Sequence, residues 1–293
     1  MRSIGLLIIA LAFAVPLNWF AGLAQRHDTV ALLSQYFGVC ALIAMGLSQV
    51  MATRLAGLEA IFGGIDRIYV LHKWLGIAAM ALVLLHDTID AEMNGLGPET
   101  SLSELAETLG EISLYALLIL VVISITTFVP YHLWKYSHKL MGGFFAASAL
   151  HFLFIQKPFA NSDPLGLYVL AFCIAGVVAY IYTLLPIDLF KGWRRYTVNA
   201  VTHNGDAVTV TLSPVGRGHR HRAGQFAFLR FQAPASREIH PFTISKAPDD
   251  DRSLRFTIKS LGDYTGSLGS SIEQGLRASV SRPFGHFRLR QTQ

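Results

Sequence analysis

Charged residues and cysteines are both scarce in this sequence. Only 15% of its 293 residues are Asp, Glu, Lys or Arg, whereas 52% are hydrophobic, a balance that is typical of membrane proteins. The two cysteines, Cys40 and Cys173, lie in apolar stretches and indicate neither a disulfide framework nor a metal knuckle. The net charge is +5, but no basic stripe is interleaved with aromatic residues, so we expect no nucleic-acid partner.

Long apolar runs fill the first part of the chain, at residues 4–24, 29–51, 68–85, 112–129, 140–155 and 165–185. About 20 helical residues cross a bilayer core of about 30 Å, so we predict six transmembrane helices in contact with membrane lipid. If the N-terminus is cytoplasmic, the loops on that side hold nine Lys or Arg residues against two on the other. This asymmetry predicts a cytoplasmic N-terminus and a cytoplasmic tail, in a cell membrane that we take to be a bacterial inner membrane.

Four histidines lie near the ends of two of these runs. His72 and His86 are 14 residues apart, and His138 and His151 are 13 apart. A single such histidine would be read as a hydrogen-bonded core or interfacial residue, but ionisable residues inside a membrane are expensive and usually functional. Two pairs at nearly equal spacing predict two stacked haems, because 14 residues rise about 21 Å along a helix. We expect His72 and His138 to ligate an inner haem, and His86 and His151 an outer haem.

The azimuths of the two pairs differ. Fourteen residues come within about 40° of whole helical turns, so His72 and His86 share a helix face, whereas thirteen residues miss by about 140°. For His138 and His151, we therefore expect either a local distortion at Gly142-Gly143 or two haems at different azimuths.

The segment from residue 87 to residue 111 is acidic. It contains seven Asp or Glu residues and no Lys or Arg. Ser101 and Glu104 form a capping-box pattern, and a short interfacial helix is expected to follow them. The acidity is interpreted either as a solvated loop or as a surface that attracts a cationic acceptor such as ferric ion.

From Tyr196 onwards the pattern changes to short alternating segments. Residues 196–203 and 207–214 alternate apolar and polar side chains around the turn signal Asn204-Gly205-Asp206, and further strand-like segments follow. We predict a helical domain at residues 1–190 and a small antiparallel β-barrel at residues 191–293.

Several motifs in this second half resemble the flavin-binding segments of the ferric reductase and NADPH oxidase family. His240-Pro241-Phe242-Thr243-Ile244-Ser245 resembles the family's flavin motif, and Gln225 lies in the strand that is expected before it. Residues 258–265 are similar to the family's segment with a basic residue and then Gly-Asp-aromatic-Thr, and residues 282–285 resemble the end of its flavin barrel. The histidine pairs match the positions of the family's haem ligands.

The resemblance implies a barrel of the ferredoxin-reductase flavin-binding type. Thr243 and Ser245 would then bond the flavin ring and ribityl chain, and Lys259 would meet the diphosphate. Gly262 would let the backbone come close. Thr265 and Gly266 would open a helix whose first amides suit phosphate.

The resemblance also implies a function. Electrons from NAD(P)H would pass through FAD and two haem b groups to ferric iron or dioxygen on the far side of the membrane. The family continues with a nucleotide-binding domain, and no Gly-rich loop follows a strand before Gln293. We therefore expect a fragment, or a reductase partner that supplies hydride. Two alternatives remain: a haem-binding subunit fed by a separate flavoprotein, and a non-enzymatic membrane protein with a histidine-lined polar pathway.

Overall fold

A computed structural model of the protein describes residues 2–55, 57–89, 91, 93, 96, 101–126, 129–185, 192–232 and 238–285. The chain divides into two compact units, Met1–Leu184 and Leu185–Gln293. The first unit is helical, and the second is built on one antiparallel sheet. The predicted domain boundary, between residues 190 and 191, lies outside the described residues.

The helical unit contains six long helices and one short one. They are α1 (Ser3–Leu23), α2 (Thr29–Ala52), α3 (Leu58–Phe62), α4 (Ile65–Thr88), α5 (Ser101–Ile125), α6 (Tyr131–Phe154) and α7 (Pro164–Leu184). Five of them, α1, α2, α4, α5 and α7, are long and apolar enough to cross a membrane. The exception is α6, whose first third carries Lys135, His138 and Lys139. Six membrane spans therefore stay a prediction, although all six apolar runs are helical.

Helix α5 corrects one expectation about the acidic segment. It begins at Ser101, where the capping pattern is, but it then continues without interruption to Ile125. The expected short interfacial helix is therefore wrong as a separate element. Two sequence features explain the continuity: no proline lies between these residues, and Gly110 inside the helix is a cost of only about 1 kcal/mol.

Glycines bring α2, α6 and α7 close together. A Cβ atom at Gly142 would lie 2.0 Å from the Tyr180 ring, and one at Gly176 would lie 2.4 Å from the Phe145 ring. Helix α6 is α-helical without interruption through Gly142 and Gly143. The distortion suggested for that glycine pair is therefore not observed as a break, and Gly142 instead makes room for an aromatic side chain of α7.

The second unit contains six antiparallel strands. They are β1 (Arg194–Asn204), β2 (Ala207–Pro214), β3 (Phe226–Phe231), β4 (His240–Thr243), β5 (Leu254–Lys259) and β6 (Arg277–Val280), in the order β4-β3-β6-β1-β2-β5. The turn between β1 and β2 has Gly205 at φ 59°, as the turn signal predicted. The two edge strands meet where Ile244 bridges Phe256, which is the contact that closure into a barrel needs. The ferredoxin-reductase type of barrel stays a prediction.

Strand β5 shows how the sheet separates its core from its polar face. Leu254, Phe256 and Ile258 are buried, while Arg255, Thr257 and Lys259 between them are exposed. Fully burying an apolar side chain of this size contributes about 1.5–3 kcal/mol, so the alternation fixes the register. The polar side chains are thereby held in a row on a rigid strand. After β5, helix α8 (Asp263–Ser271) packs Leu268 into the same core.

Candidate functional site

The two histidines of the predicted inner pair lie beside each other. His72 on α4 and His138 on α6 have ring centroids 5.9 Å apart, with an interplanar angle of 69°. Imidazoles that ligate one metal from opposite sides at about 2 Å hold their ligating nitrogens about 4 Å apart, and their ring centres about 6 Å apart. The observed separation therefore fits a pair of axial ligands, and it requires no third protein ligand.

Both inner histidines are anchored through Nδ1. His72 Nδ1 lies 2.8 Å from Ser48 Oγ and 3.0 Å from the Ser48 carbonyl oxygen. His138 Nδ1 lies 3.0 Å from Ser124 Oγ. The Ser124 hydroxyl donates to the Leu120 carbonyl at 2.7 Å, so it accepts the Nδ1–H of His138. A proton on Nδ1 leaves the lone pair on Nε2, which is the state that a metal ligand requires.

The outer pair repeats this arrangement with backbone acceptors. His86 Nδ1 lies 2.9 Å from the carbonyl oxygen of Ser34 and 3.0 Å from its hydroxyl. The Ser34 hydroxyl also donates to the His86 carbonyl at 2.8 Å. His151 Nδ1 donates to the Ala106 carbonyl at 2.8 Å. All four imidazoles are therefore in the tautomer that presents Nε2.

The outer histidines line one cavity of about 400 Å³, which is within the range of small-molecule and cofactor sites. Its wall combines apolar side chains, among them Leu42 and Leu114, with charged ones. The charged residues that line it are Asp87, Glu107, Glu111 and Lys157. The acidic segment predicted from the sequence thus contributes carboxylates to the outer cavity. The remaining acidic positions of that segment include Asp90, Glu92 and Glu99, which lie outside the described residues.

The acceptor residues were not identified from the sequence. Ser34 and Ser48 are 14 residues apart on α2, the same spacing as His72 and His86 on α4. Because α2 and α4 pack side by side, one serine reaches each histidine. This matched spacing is a signal that could have been found. The Ala106 carbonyl could not, because any residue provides a backbone carbonyl.

The phase difference between His138 and His151 does not separate their surroundings. Both histidines reach α5, at Ser124 and at Ala106 respectively. These two acceptors are 18 residues apart, which is five whole turns, so they share one face of α5. The acceptor helix, rather than a break in α6, therefore reconciles the 13-residue spacing with a common partner.

In the second unit, predicted flavin contacts form a polar row at the junction of β4 and β5. Thr243, Ser245 and Lys259 are exposed. The Ser245 hydroxyl lies 3.1 Å from the Arg255 carbonyl and 3.2 Å from Thr257 Oγ1. Rigid strands thus hold hydroxyl groups in fixed positions at the surface, where they can meet a ligand. Lys259 Nζ lies at the same surface, 3.2 Å from Asp206 Oδ2.

His240 lies in an aromatic cluster beside this row. Its ring stacks on Tyr264 with centroids 3.9 Å apart, and Phe242 lies 6.3 Å away. Its Nε2 is 2.8 Å from Glu238 Oε2. Burial, and then the Glu238 charge, raise the pKa of Tyr264 to about 12. Tyr264 and Glu238 were not among the predicted site residues, although Tyr264 is the aromatic residue of the Gly-Asp-aromatic-Thr segment.

The start of α8 is organised by Thr265. Its Oγ1 accepts the amide of Leu261 at 2.9 Å and that of Gly262 at 3.1 Å. The helix begins at Asp263, two residues before the predicted start. Gly262 has a φ of −170°, which is ordinary extended backbone, and a Cβ there would meet nothing within 4 Å. Gly262 and Gly266 therefore border open space at the helix N-terminus, where backbone amides favour anions.

Other predicted flavin residues have roles within the sheet. The Gln225 side chain accepts the Arg222 amide at 2.8 Å and donates to the Gly285 carbonyl at 3.1 Å. Ile244 is buried and bridges Phe256. Pro241 pairs with Phe228 in the β3–β4 ladder. These three residues support the polar row from behind, and a direct cofactor contact for them stays a prediction.

Comparisons with known proteins agree with this division of the chain. Residues 37–149 match the model of the ferric reductase like transmembrane component, and residues 192–286 match that of an FAD-binding domain. The first match contains His72, His86 and His138, and His151 follows it by two residues.

The curated relatives are much longer than this chain. Respiratory burst oxidase homolog protein C of Solanum tuberosum is 31% identical over 100 residues, which cover 30% of this chain and 10% of that protein. Respiratory burst oxidase homolog protein F of Arabidopsis thaliana is 27% identical over 170 residues, or 54% and 16% of the two chains. A solved structure described as the ferredoxin reductase in carbazole 1,9a-dioxygenase has a TM-score of 0.30 at 21% identity, over 34% of this chain and 31% of that chain. That structural likeness is too low to carry an argument.

The two matched segments follow each other in the order that the sequence motifs predicted, and the relatives are oxidases of the same family. The helical unit also supplies five helices suited to a membrane. This integral membrane oxidoreductase, with its FAD-binding domain, belongs to the ferric reductase and NADPH oxidase family.

Proposed function

We propose that this protein passes electrons from a cytoplasmic hydride donor, through FAD and two b-type haems, to an acceptor on the far side of the membrane. His72 and His138 would ligate the inner haem, and His86 and His151 the outer haem. The observation that carries the proposal is the Nδ1 hydrogen bond shared by all four imidazoles. Metal-ligating histidines almost always donate their other N–H in this way.

The residues of the helical unit would hold and orient the haems. FAD, when bound, accepts a hydride and hands on single electrons, and haem exchanges single electrons. The chain itself contributes four oriented nitrogens and an outer cavity whose walls are largely apolar. The carboxylates of Asp87, Glu107 and Glu111 at this cavity would attract a cation such as ferric iron, and dioxygen is the other acceptor considered.

In the second unit, the polar row would bind FAD. Thr243 and Ser245 would bond the flavin ring and ribityl chain, and Lys259 with the first amides of α8 would meet the diphosphate. The stacked rings of His240 and Tyr264 would offer an apolar surface beside them. The match of residues 192–286 to an FAD-binding domain disfavours the alternative of a haem subunit fed by a separate flavoprotein.

The proposed orientation follows from the loop charges. Nine Lys or Arg residues against two favour a cytoplasmic N-terminus and a cytoplasmic FAD-binding domain. NAD(P)H would then donate hydride from the cytoplasm, through a further domain or a reductase partner. The suggested bacterial membrane has no support from the relatives named above, which come from plants.

A visible spectrum of the purified protein tests the proposal. We expect the bands of low-spin haem with two histidine ligands at about two haems per chain, together with bound flavin. His86→Ala and His151→Ala should each remove the outer haem and keep the inner one. His203→Ala, at an exposed position of β1, is the control and should keep both. Absence of haem would refute the proposal, and equal loss of both haems in His86→Ala and His151→Ala would refute the ligand pairing.

A further inference from the structure

The two outer histidines each press against a glycine of a neighbouring helix. A Cβ at Gly38 on α2 would lie 3.2 Å from Nδ1 and Cε1 of His86. A Cβ at Gly110 on α5 would lie 2.6 Å from Nδ1 of His151, 2.9 Å from Cε1 and 3.3 Å from Cγ. Ordinary contacts between carbon atoms begin at about 3.5 Å, so a β-carbon at either position would collide with the imidazole ring.

Both glycines have the same relation to a hydrogen-bond acceptor. Gly38 follows Ser34 by four residues, and Gly110 follows Ala106 by four residues. Ser34 and Ala106 are the residues whose carbonyls accept the Nδ1–H groups of His86 and His151. Residues four apart lie on one face of a helix, about one turn from each other. One turn of α2 and one turn of α5 therefore each provide an acceptor and, above it, an empty place for the ring.

We propose that Gly38 and Gly110 are positioning residues for the outer haem. Each makes room for an outer imidazole flat against the neighbouring helix, while the carbonyl four residues earlier fixes its Nδ1. The pair of glycines thus sets where the two Nε2 atoms point across the outer cavity. This inference rests on the proposed haem ligation and adds to it the residues that orient the outer ligands.

The repeat of this arrangement argues against ordinary helix packing. Other glycines of the unit approach different groups: Gly46 approaches the Phe172 carbonyl, Gly142 the Tyr180 ring and Gly176 the Phe145 ring. Only at Gly38 and Gly110, among the described glycines, is the nearest atom to a built Cβ an imidazole atom of a predicted haem ligand. A general packing role would not place both glycines at the same offset from the carbonyls that hold those ligands.

The two contacts predict effects of different size. Ligating groups need to stay within about 0.5 Å of their productive position. At Gly110, a β-carbon would push the ring by about 1 Å, which exceeds this tolerance, whereas at Gly38 a shift of about 0.3 Å would suffice. Gly110→Ala should therefore lose the outer haem. Gly38→Ala should keep it with affinity lowered about tenfold, the lower end of the range for residues that support metal ligands.

The experiment compares these variants in the full chain. The haem content per chain, the rate of haem transfer to excess apomyoglobin, and the electron paramagnetic resonance signals of the two low-spin haems are measured. Gly22→Ala on α1 and Gly143→Ala on α6 are matched controls, because a Cβ at either site meets nothing within 4 Å and both glycines are exposed. The inner haem signal and bound flavin report on folding in every variant.

We expect about one haem per chain in Gly110→Ala, faster loss of the outer haem alone in Gly38→Ala, and two haems in both controls. If Gly38→Ala and Gly110→Ala behave like the controls while the wild-type chain holds two haems, the inference is overturned and the haem ligation stands. If the wild-type chain holds no haem, the proposed function itself fails. If Gly110→Ala loses both haems, Gly38→Ala decides: an effect confined to the outer haem supports the inference, and equal loss of both haems overturns it.

Discussion

Replacing Ser124 with alanine should weaken the inner haem site more than the same change at Ser48. Ser124 Oγ is the acceptor of the His138 Nδ1–H among the described residues, at 3.0 Å. Ser48 presents both its hydroxyl and its carbonyl to His72, at 2.8 and 3.0 Å. The carbonyl remains when Ser48 becomes alanine, so His72 keeps an acceptor, whereas His138 does not.

The expected magnitude follows from the cost of a buried donor without an acceptor. That cost is about 1–3 kcal/mol, and the loss of a group that supports a metal ligand lowers affinity about 10–100-fold. We therefore expect Ser124→Ala to release the inner haem about 10–100 times more readily, which is about 1.4–2.8 kcal/mol. For Ser48→Ala, the loss should be below about tenfold. A weaker hydrogen bond also makes the imidazole less basic, so the midpoint potential of the inner haem should rise.

The measurements are haem transfer to apomyoglobin and a potentiometric titration that resolves the two haems. Ser137→Ala is the control, because the Ser137 hydroxyl donates to the Trp134 carbonyl within α6. A tenfold change in the reduction equilibrium corresponds to about 59 mV for one electron. The reasoning would be refuted if Ser48→Ala weakened the inner haem as much as Ser124→Ala, or if the outer haem responded instead.

Two further predictions concern the second unit. Burial and the nearby Arg194 lower the pKa of His219 to about 4, against a partly opposing hydrogen bond to Val280; since the unfolded-state value is 6.5, the unfolding free energy of this unit should fall by about 3 kcal/mol as pH drops from 6.5 to 4 and stay level above 6.5, which urea unfolding at several pH values would check and His219→Gln should diminish. Lys259→Ala should weaken FAD binding about tenfold, or about 1.4 kcal/mol, by flavin fluorescence titration, and Asp206→Asn should not weaken it, because it removes the ion pair but keeps the lysine charge; equal weakening in both variants would assign the effect to the ion pair.

The sequence predicted the elements of both units because their patterns are strong. Long apolar runs specify helices almost independently of context, and all six runs are helical. In the second unit, alternation around Asn204-Gly205-Asp206 predicted a hairpin whose strands pair in that register. The error at Ser101 arose where two signals overlapped: an amphipathic pattern led directly into an apolar run, and the chain continued as one helix.

The haem ligands were predictable, but the groups that orient them were not. A histidine in an apolar run is chemically conspicuous, whereas the carbonyl of Ala106 has no sequence signature. Gly110 had the wrong implication, since a glycine inside a helix usually weakens it. Its purpose depends on a ring that comes from another helix, 41 residues later in the chain. Information of that kind exists only in the packed structure.

The helical unit orients its ligands in two independent halves. Helix α4 carries His72 and His86 and packs on α2, which supplies the acceptors of both. Helix α6 carries His138 and His151 and packs on α5, which supplies theirs. No acceptor among the described residues crosses from one half to the other. Each half can therefore fix its two imidazoles before any haem is bound, so that haem meets ligands that are already oriented.

This division has a consequence for how the two sites respond to change. A substitution on α2 should disturb one ligand of the inner haem or one of the outer haem, according to whether it lies near Ser48 or near Ser34. The same holds on α5 for Ser124 and Ala106. Because each haem takes one ligand from each half, defects from α2 and α5 at the same level should combine at one haem and leave the other unchanged. The four histidines thus form two pairs by ligation and two different pairs by support, and the second pairing keeps each site separately adjustable.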